Sequence, residues 1–285
     1  MLKKQQMNRQ QAFIAGSTLP RMGPRKPNRF LAALGQQDYL RLAGRLRTVA
    51  LDQGRTLHDN GDPVEHVYFP HSGSVSLVVT LHDGTAIETI MLGRAGVVGC
   101  AAAWGGRYST GRAVVQLPGS ASCLSAAEFR AATRESDAIY ELALRYNDLL
   151  LAQVQQTAAC NALHGLEARL CRWLMQAHDS ADDNVIPVTQ HLLSQMLGVR
   201  RTSLTLVARA LQRAGMIRYR RGQMEILDRG KLETAACECY RWIRRLIDDA
   251  FRPVPGVEQH LAEETETRVA NSPALAMTDS DQPRQ

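Results

Sequence analysis

The chain has 285 residues, with 34 Lys and Arg against 28 Asp and Glu, a formal charge of +6, 45% apolar residues and 22% charged ones. Such a composition belongs to a folded protein of roughly two domains and excludes a disordered or fibrous chain. No apolar run approaches the ~20 residues needed to cross a bilayer, and Met1, Lys3, Lys4, Gln5 and Gln6 lead into no apolar signal core, so a cytoplasmic protein without membrane contact is expected.

The first 28 residues mix Lys, Arg, Gln, Pro and Gly with little periodicity and read as a disordered basic segment; residues 251–285 read as a disordered polar tail. An amphipathic helix carrying Phe30, Leu31, Leu34, Tyr39, Leu42 and Leu46 opens the folded part. From Val49 to about Phe129, short β-rich runs alternate with turn signals at Asn60-Gly61-Asp62-Pro63, His71-Ser72-Gly73-Ser74, His82-Asp83-Gly84-Thr85, Gly93-Arg94-Ala95-Gly96 and Pro118-Gly119-Ser120. Many short strands at this spacing predict an antiparallel, jelly-roll-like β-roll over residues 29–136, with Val75, Leu77 and Val79 on one face.

The period turns helical at Asp137. Ile139, Leu142, Tyr146 and Leu149 recur at alternating three- and four-residue steps and predict the seam of a dimerisation helix over 137–162, while Leu150, Val154 and Ala158 form a second stripe able to rest on the roll. A core helix confined to one chain is the competing reading. Leu163, Leu166, Leu170, Trp173, Leu174 and Ala177 mark one face of the next helix, which ends at the acidic run Asp179, Asp182, Asp183 and Asn184.

Thr189 is a good N-cap for a short helix bearing Leu192, Leu193, Met196 and Leu197, and Gly198 breaks it. A second helix follows at once, its buried face set by Leu204, Val207, Ala208 and Leu211, and Ala214-Gly215 stops it. Two short helices joined by a tight turn form a helix-turn-helix, whose second helix lies in the major groove. The exposed residues Arg200, Arg201, Thr202, Ser203, Thr205, Arg209 and Arg213 suit that task, because a guanidinium grips guanine or phosphate with two donors and hydroxyls reach phosphates or base edges. Met216 to Leu227 alternates apolar and polar around Arg221-Gly222, which predicts a β-hairpin wing with Arg220 and Arg221 at its tip. Between residues 200 and 229, eight arginines (200, 201, 209, 213, 218, 220, 221 and 229) face only Glu225 and Asp228, so the positive excess sits in this module, 163–250. A final helix with Leu232, Ala235, Ala236, Cys239, Ile243, Leu246 and Ile247 on one side packs on it as core. The fold class is therefore α+β.

This order of parts resembles the CRP/FNR superfamily of bacterial regulators over residues 28–250. The run from Thr189 through Gly198 to Ile217 carries the likeness at one end, and Gly61-Asp62-Pro63, Val67-Tyr68-Phe69 and Gly73-Ser74-Val75 carry it at the other, in the manner of a cyclic-nucleotide-binding roll. The resemblance implies a homodimer on a two-fold-related site in double-stranded DNA, working with RNA polymerase, with a small-molecule effector of unspecified identity. Arg201 matches an arginine common in the family, whereas Thr202 stands at its usual glutamate and Leu206 at its usual downstream arginine, so the family's operator is not carried over.

The implied effector pocket comprises Gly96, Gly99, Cys100, Ser109 and Thr110. Cys100 occupies the place of the ribose-binding glutamate, and Ser109-Thr110 that of the phosphate-binding Arg-Ser, with Arg107 and Arg112 out of register. Cyclic AMP is therefore not expected to bind, since its charge-assisted bonds are missing. The cysteine cluster of the iron–sulfur members is also missing before Cys100; a haem or redox role for Cys100 or Cys123 is a minor reading.

The six cysteines, at 100, 123, 160, 171, 237 and 239, show no CxxC spacing, and in a helical register Cys237 and Cys239 point apart, so no metal, cofactor or catalytic residue is expected. Two other readings stay open. One is a cupin-like metalloenzyme using His58, His66, His71 and His82, which lack an HxH pair. The other is a winged module that binds protein or RNA.

Overall fold

In the computed structural model, residues 28–252 are described. The expected disordered segments thus lie outside the described residues except at their inner ends, where two corrections follow. Asn28 is fully buried, its amide donating to the carbonyls of Pro70 and Gly96 at 3.0 and 2.8 Å while its Oδ1 accepts from Phe30 N at 3.0 Å. Phe251 stacks 6.5 Å from Tyr146, with the Arg29 guanidinium 5.5 Å over its ring. Both residues belong to the fold.

The first helical stretch is broken at Gly35 into α1 (Arg29–Ala32) and α2 (Gln36–Ala43). Five antiparallel strands follow: β1 (Arg47–Leu51), β2 (Thr56–His58), β3 (His66–Thr80), β4 (Ala86–Leu92) and β5 (Arg112–Ser125). Their order is β1-β5-β3-β4, with β2 also on β5. Two predicted turns, at His71–Ser74 and Pro118–Ser120, are instead bends inside the long strands β3 and β5, facing each other across the sheet with a shifted register. Gly73 has φ +73, and a Cβ there would meet the Leu117 carbonyl oxygen at 2.5 Å. Glycine permits close backbone approach as well as a turn, and here it does the former.

A second irregularity falls between Leu77 and Val78. It flips the alternation, so Val75 and Val78 are buried while Val79 is 42% exposed, against the single face expected for 75, 77 and 79.

A 3₁₀ turn (Cys100–Trp104) and α3 (Ala126–Glu135) close the roll, the latter started by a reciprocal capping box between Ser125 and Glu128. Next comes α4 (Asp137–Leu163), 27 residues and about 40 Å long at 1.5 Å per residue. Phe30, Phe69, Phe129 and Tyr146 meet as a buried aromatic group with ring centroids 5.6–6.3 Å apart, joining α1, the sheet, α3 and α4. Truncating one such ring costs about 3–5 kcal/mol.

The C-terminal part comprises α5 (Leu166–Ser180), β6 (Val185–Pro187), α6 (Gln190–Met196), α7 (Arg201–Arg213), β7 (Ile217–Arg220), β8 (Gln223–Ile226), α8 (Arg229–Ala235) and α9 (Cys239–Ala250). Strand β6, absent from the sequence reading, extends the wing into a three-stranded sheet ordered β6-β8-β7. Leu163, expected on the apolar face of the helix after it, is 80% exposed because α4 ends there and His164 turns the backbone extended. The predicted last helix is broken at Ala236–Glu238 into α8 and α9.

Around Trp173, the core of this part takes in Leu174, Leu193, Leu204, Leu211, Ile217 and Met224, and it is sealed against the roll. Trp173 Nε1 donates to Glu88 Oε1 at 2.9 Å, and Ser76 Oγ donates to the other Glu88 oxygen. Gln53 Nε2 donates to the Pro187 carbonyl at 2.7 Å, and Arg94 pairs with Asp182. The cavity at this joint has a volume of about 10 Å³, room for about one water.

Candidate nucleic-acid interface

Thr189 caps α6, its Oγ1 accepting from Leu192 N at 3.2 Å. Gly198, with φ +62, makes the turn into α7, and a Cβ there would meet Ile87 Cδ1 at 2.9 Å. Leu204, Ala208 and Leu211 then face the core as their spacing predicts. The opposite side of α7 presents Arg201, Thr202, Ser203 and Arg209 to solvent, with Arg200 exposed at the N-cap.

Thr205 differs from these. Its Oγ1 lies 2.9 Å from Gln190 Oε1 and 2.9 Å from the Arg201 carbonyl, so this hydroxyl ties α7 to α6. Thr189 and Thr205 hold the helix pair in shape, and the exposed side chains between them are the ones a duplex can reach.

The wing turns on two residues, Arg221 (φ +47) and Gly222 (φ +78), the pair of positive φ values that a type I′ hairpin requires. Its tip therefore projects Arg220 and Arg221 outward, both exposed. Arg218 pairs with Glu225 at 2.9 Å, and Arg229 pairs with Asp179 at 2.7 Å and donates to Tyr240 Oη at 2.8 Å. Two of the eight arginines are thus consumed internally. No ion pair among the described residues engages Arg200, Arg201, Arg209, Arg213, Arg220 or Arg221. Six uncompensated guanidiniums spread over one helix and one hairpin make a surface suited to a line of phosphates.

The long helix requires a correction. Ile139, Leu142, Tyr146 and Leu149, expected at a dimer seam, are 0–4% exposed and packed on the roll. Tyr146 Oη accepts from Val97 N at 2.7 Å, deep in the chain. Of the stripe assigned to the roll, Leu150 packs there as expected, whereas Val154 (38% exposed) and Ala158 face outward, alongside exposed Tyr140, Leu144 and Leu151. Together with exposed Asn147, these outward positions step by four and three residues in alternation, the spacing of a two-helix seam. The spacing of Ile139, Leu142, Tyr146 and Leu149 marked a real stripe but not the side it faces, and the exposed row through Tyr140, Leu144 and Leu151 was not read from the sequence.

The expected effector residues fall in two places. Gly96, Gly99 and Cys100 form the loop against α4, where Cys100 Sγ lies 3.9 Å from the Ala143 carbonyl and burial pushes its thiol well up. Ser109 is held by His58 Nδ1 at 3.0 Å beside the Asp59–Asp62 turn, and Thr110 is exposed. The roll interior is filled by Leu51, Val75, Ile90, Leu92, Val115 and Cys123. Burial raises the Cys123 thiol to about 11, which leaves it a weak nucleophile.

Two of the four roll histidines are engaged by serines, His58 by Ser109 and His71 by Ser122 at 2.7 Å. Among the described residues the roll contains no group of three His, Cys, Asp or Glu side chains able to hold a metal, so the cupin-like reading has no site there. A cysteine–histidine group that the sequence reading missed lies elsewhere, where α4 meets the link between α8 and α9.

A model of the Crp-like helix-turn-helix domain matches residues 168–235, and one of the cyclic nucleotide-binding domain matches residues 48–136. No curated protein matches the chain by sequence. Among solved structures, FixK2 from Bradyrhizobium japonicum is 13% identical, with a TM-score of 0.57 over 67% of this chain and 98% of its own. A putative transcriptional regulator of the Crp/Fnr family from Eubacterium rectale is 17% identical, with a TM-score of 0.56 over 72% and 95%. A CRP-family transcriptional regulator from Thermus thermophilus is 22% identical, with a TM-score of 0.55 over 66% and 96%. These likenesses place the fold.

Proposed function

Because the chain belongs to the CRP/FNR superfamily of transcription regulators, we propose that it binds duplex DNA as a homodimer, reads a two-fold-related promoter site in the cytoplasm and acts there through RNA polymerase. The observation that carries this reading is the set of six exposed, unpaired arginines on α7 and the wing tip. Arg200, Arg201, Thr202 and Ser203 at the N-terminal end of α7 reach base edges and phosphates, Arg209 and Arg213 lie along the groove, and Arg220 and Arg221 clamp the backbone beside it.

The partner is a second copy, joined along Tyr140, Leu144, Asn147, Leu151, Val154 and Ala158 of α4. An asparagine at one seam position fixes the register of a parallel pair by bonding to its counterpart. Two copies so joined present their recognition helices about 34 Å apart, one turn of DNA.

In this reading, residues 29–136 form an effector domain that does not bind cyclic AMP. The apolar filling of the roll supports this, as does its one buried charged side chain among the described residues, Glu88, which faces Trp173. An anion needs the opposite sign.

The test uses DNA recovered with the protein by chromatin immunoprecipitation. Full-length protein should bind these duplexes in a salt-dependent manner and far better than scrambled duplexes or single-stranded RNA of the same sequence. Replacing both Arg200 and Arg201 with Ala should abolish the preference; unchanged binding, or preference for RNA, overturns the proposal.

A further inference from the structure

Four side chains meet where the long helix ends. Cys160 and His164 come from the last turn and cap of α4, and Cys237 and Cys239 flank the break between α8 and α9. One ligand atom from each lies within 4.8 Å of all the others. The Cys160 and Cys237 sulfurs are 3.5 Å apart, and Cys239 Sγ is 3.5 Å from His164 Nδ1. Two sulfurs bound to one tetrahedral zinc at 2.3 Å sit about 3.8 Å apart, and a sulfur and an imidazole nitrogen about 3.5 Å. These two separations are close to those around one zinc ion, and all four donors lie near enough together to share it. A polynuclear cluster would need its ligands spread around several metals.

The surroundings complete the pattern. His164 Nε2, on the far side of the ring from the cluster, is 3.2 Å from Glu238 Oε1, which fixes the imidazole with Nδ1 facing the sulfurs. Gln156 Nε2 donates to Cys239 Sγ at 3.0 Å. All three cysteines are buried, and two buried guanidiniums, Arg169 and Arg172, lie within electrostatic reach of Cys160. The Nε of each has no hydrogen-bond partner. Three thiolates and one divalent cation leave a net negative charge, which those arginines offset. A disulfide would use two of the four donors and leave the histidine, its carboxylate and the Gln156 contact without a role.

We propose that Cys160, His164, Cys237 and Cys239 bind one zinc ion as a closed, four-ligand structural site that staples the end of the long helix to the α8–α9 link. The backbone turns extended at His164, and α5 begins at Leu166. The site thus bridges the joint between α4 and the helix-turn-helix part, and it stands whether or not the chain binds DNA. The sequence hid it because Cys237 and Cys239 point apart only if their segment is helical; the break at Ala236–Glu238 turns both inward.

The test is metal analysis of full-length protein purified with reductant and without added chelator, after growth with zinc. About one zinc per chain is expected. Exchange with cobalt(II) should give tetrahedral d–d bands with sulfur-to-cobalt charge transfer, and a mercurial reagent should release zinc in step with the thiols it titrates. Cys237→Ser and Cys239→Ser should lose the metal, while Cys171→Ser, a buried cysteine outside the group, should keep it. The wild-type measurements do not depend on whether those variants fold. Zinc below about a tenth of the chain concentration that zinc(II) added under anaerobic conditions fails to raise, iron with cluster absorbance, or a Cys160–Cys237 disulfide in protein kept under reductant would each overturn the assignment.

Discussion

The helix-turn-helix part concentrates unpaired arginines on one helix and one hairpin, whereas the roll spreads paired and unpaired ones over several elements. In the roll, Arg112 is bound to Asp59 at 2.7 Å and Arg94 to Asp182, and the one buried charged residue is held by a serine and a tryptophan. On α7, its N-cap and the wing, six arginines stand in solvent without an ion pair among the described residues. An exposed ion pair is worth little to stability, so pairing or not pairing such residues costs the fold almost nothing either way. What distinguishes the two regions is the external partner that each leaves room for.

The sharpest test of that contrast neutralises charge in both places. Replacing Arg209, Arg220 and Arg221 together with Ala should lower affinity for the recovered duplexes by about 10–1000-fold at low salt and reduce the slope of log affinity against log salt by about three. Replacing Arg55 and Arg107 of the roll should change neither. Equal effects from the two sets would mean that the molecule attracts DNA by net charge alone.

The two stripes of α4 provide the next contrast. Leu142→Ala, at a buried position, should cost about 2–5 kcal/mol in thermal or denaturant unfolding. Leu151→Ala, at an exposed one, should leave the unfolding of dilute monomer within about 0.5 kcal/mol and weaken self-association in sedimentation. If Leu142→Ala were the variant that dissociated the protein without destabilising it, the inward and outward stripes would have been exchanged.

How much of this was legible in the sequence depends on the kind of signal. The buried face of α7 could be read from Leu204, Ala208 and Leu211, and the cap from Thr189, because both are local. The orientation of α4 was not, since Tyr146 and Leu151 are equally apolar and only the roll decides which is covered. Gly73 and Gly119 were misread as turns for a related reason: a glycine shows that something lies close, and the neighbour, here the facing strand, is set by tertiary pairing. The exposed arginines of α7 and the wing stood out by their local density. The Cys160, His164, Cys237 and Cys239 group was missed because its halves lie some seventy residues apart.

Glu88 marks the seam between the two regions. Burial raises its carboxyl above the usual range, against the opposing pull of Ser76, Arg172 and Trp173. A carboxyl raised on folding contributes most at low pH, and that contribution is lost as pH rises through the folded value. Glu88→Gln should therefore melt higher than wild type near neutral and alkaline pH, converge with it in mild acid, and show a flatter stability profile. A variant less stable at every pH would show that attraction to Arg172 outweighs burial.

The smallest effect is also the one that separates backbone from charge. Arg221 is the one described residue other than glycine with positive φ, at +47°, and a side chain in that conformation costs roughly 1 kcal/mol. Arg221→Gly removes the strain while adding freedom to the unfolded chain, for a net gain of at most about 0.5–1 kcal/mol in thermal unfolding. The same change deletes a guanidinium from the wing tip, so duplex affinity should fall by severalfold as stability rises. Arg221→Lys keeps the charge and the strain, and should retain most of the affinity without the gain in stability. Were stability and affinity to move together in both variants, the wing would matter to DNA only through its shape. Opposite movement would identify Arg221 as a residue held in a costly conformation for the sake of its contact with phosphate.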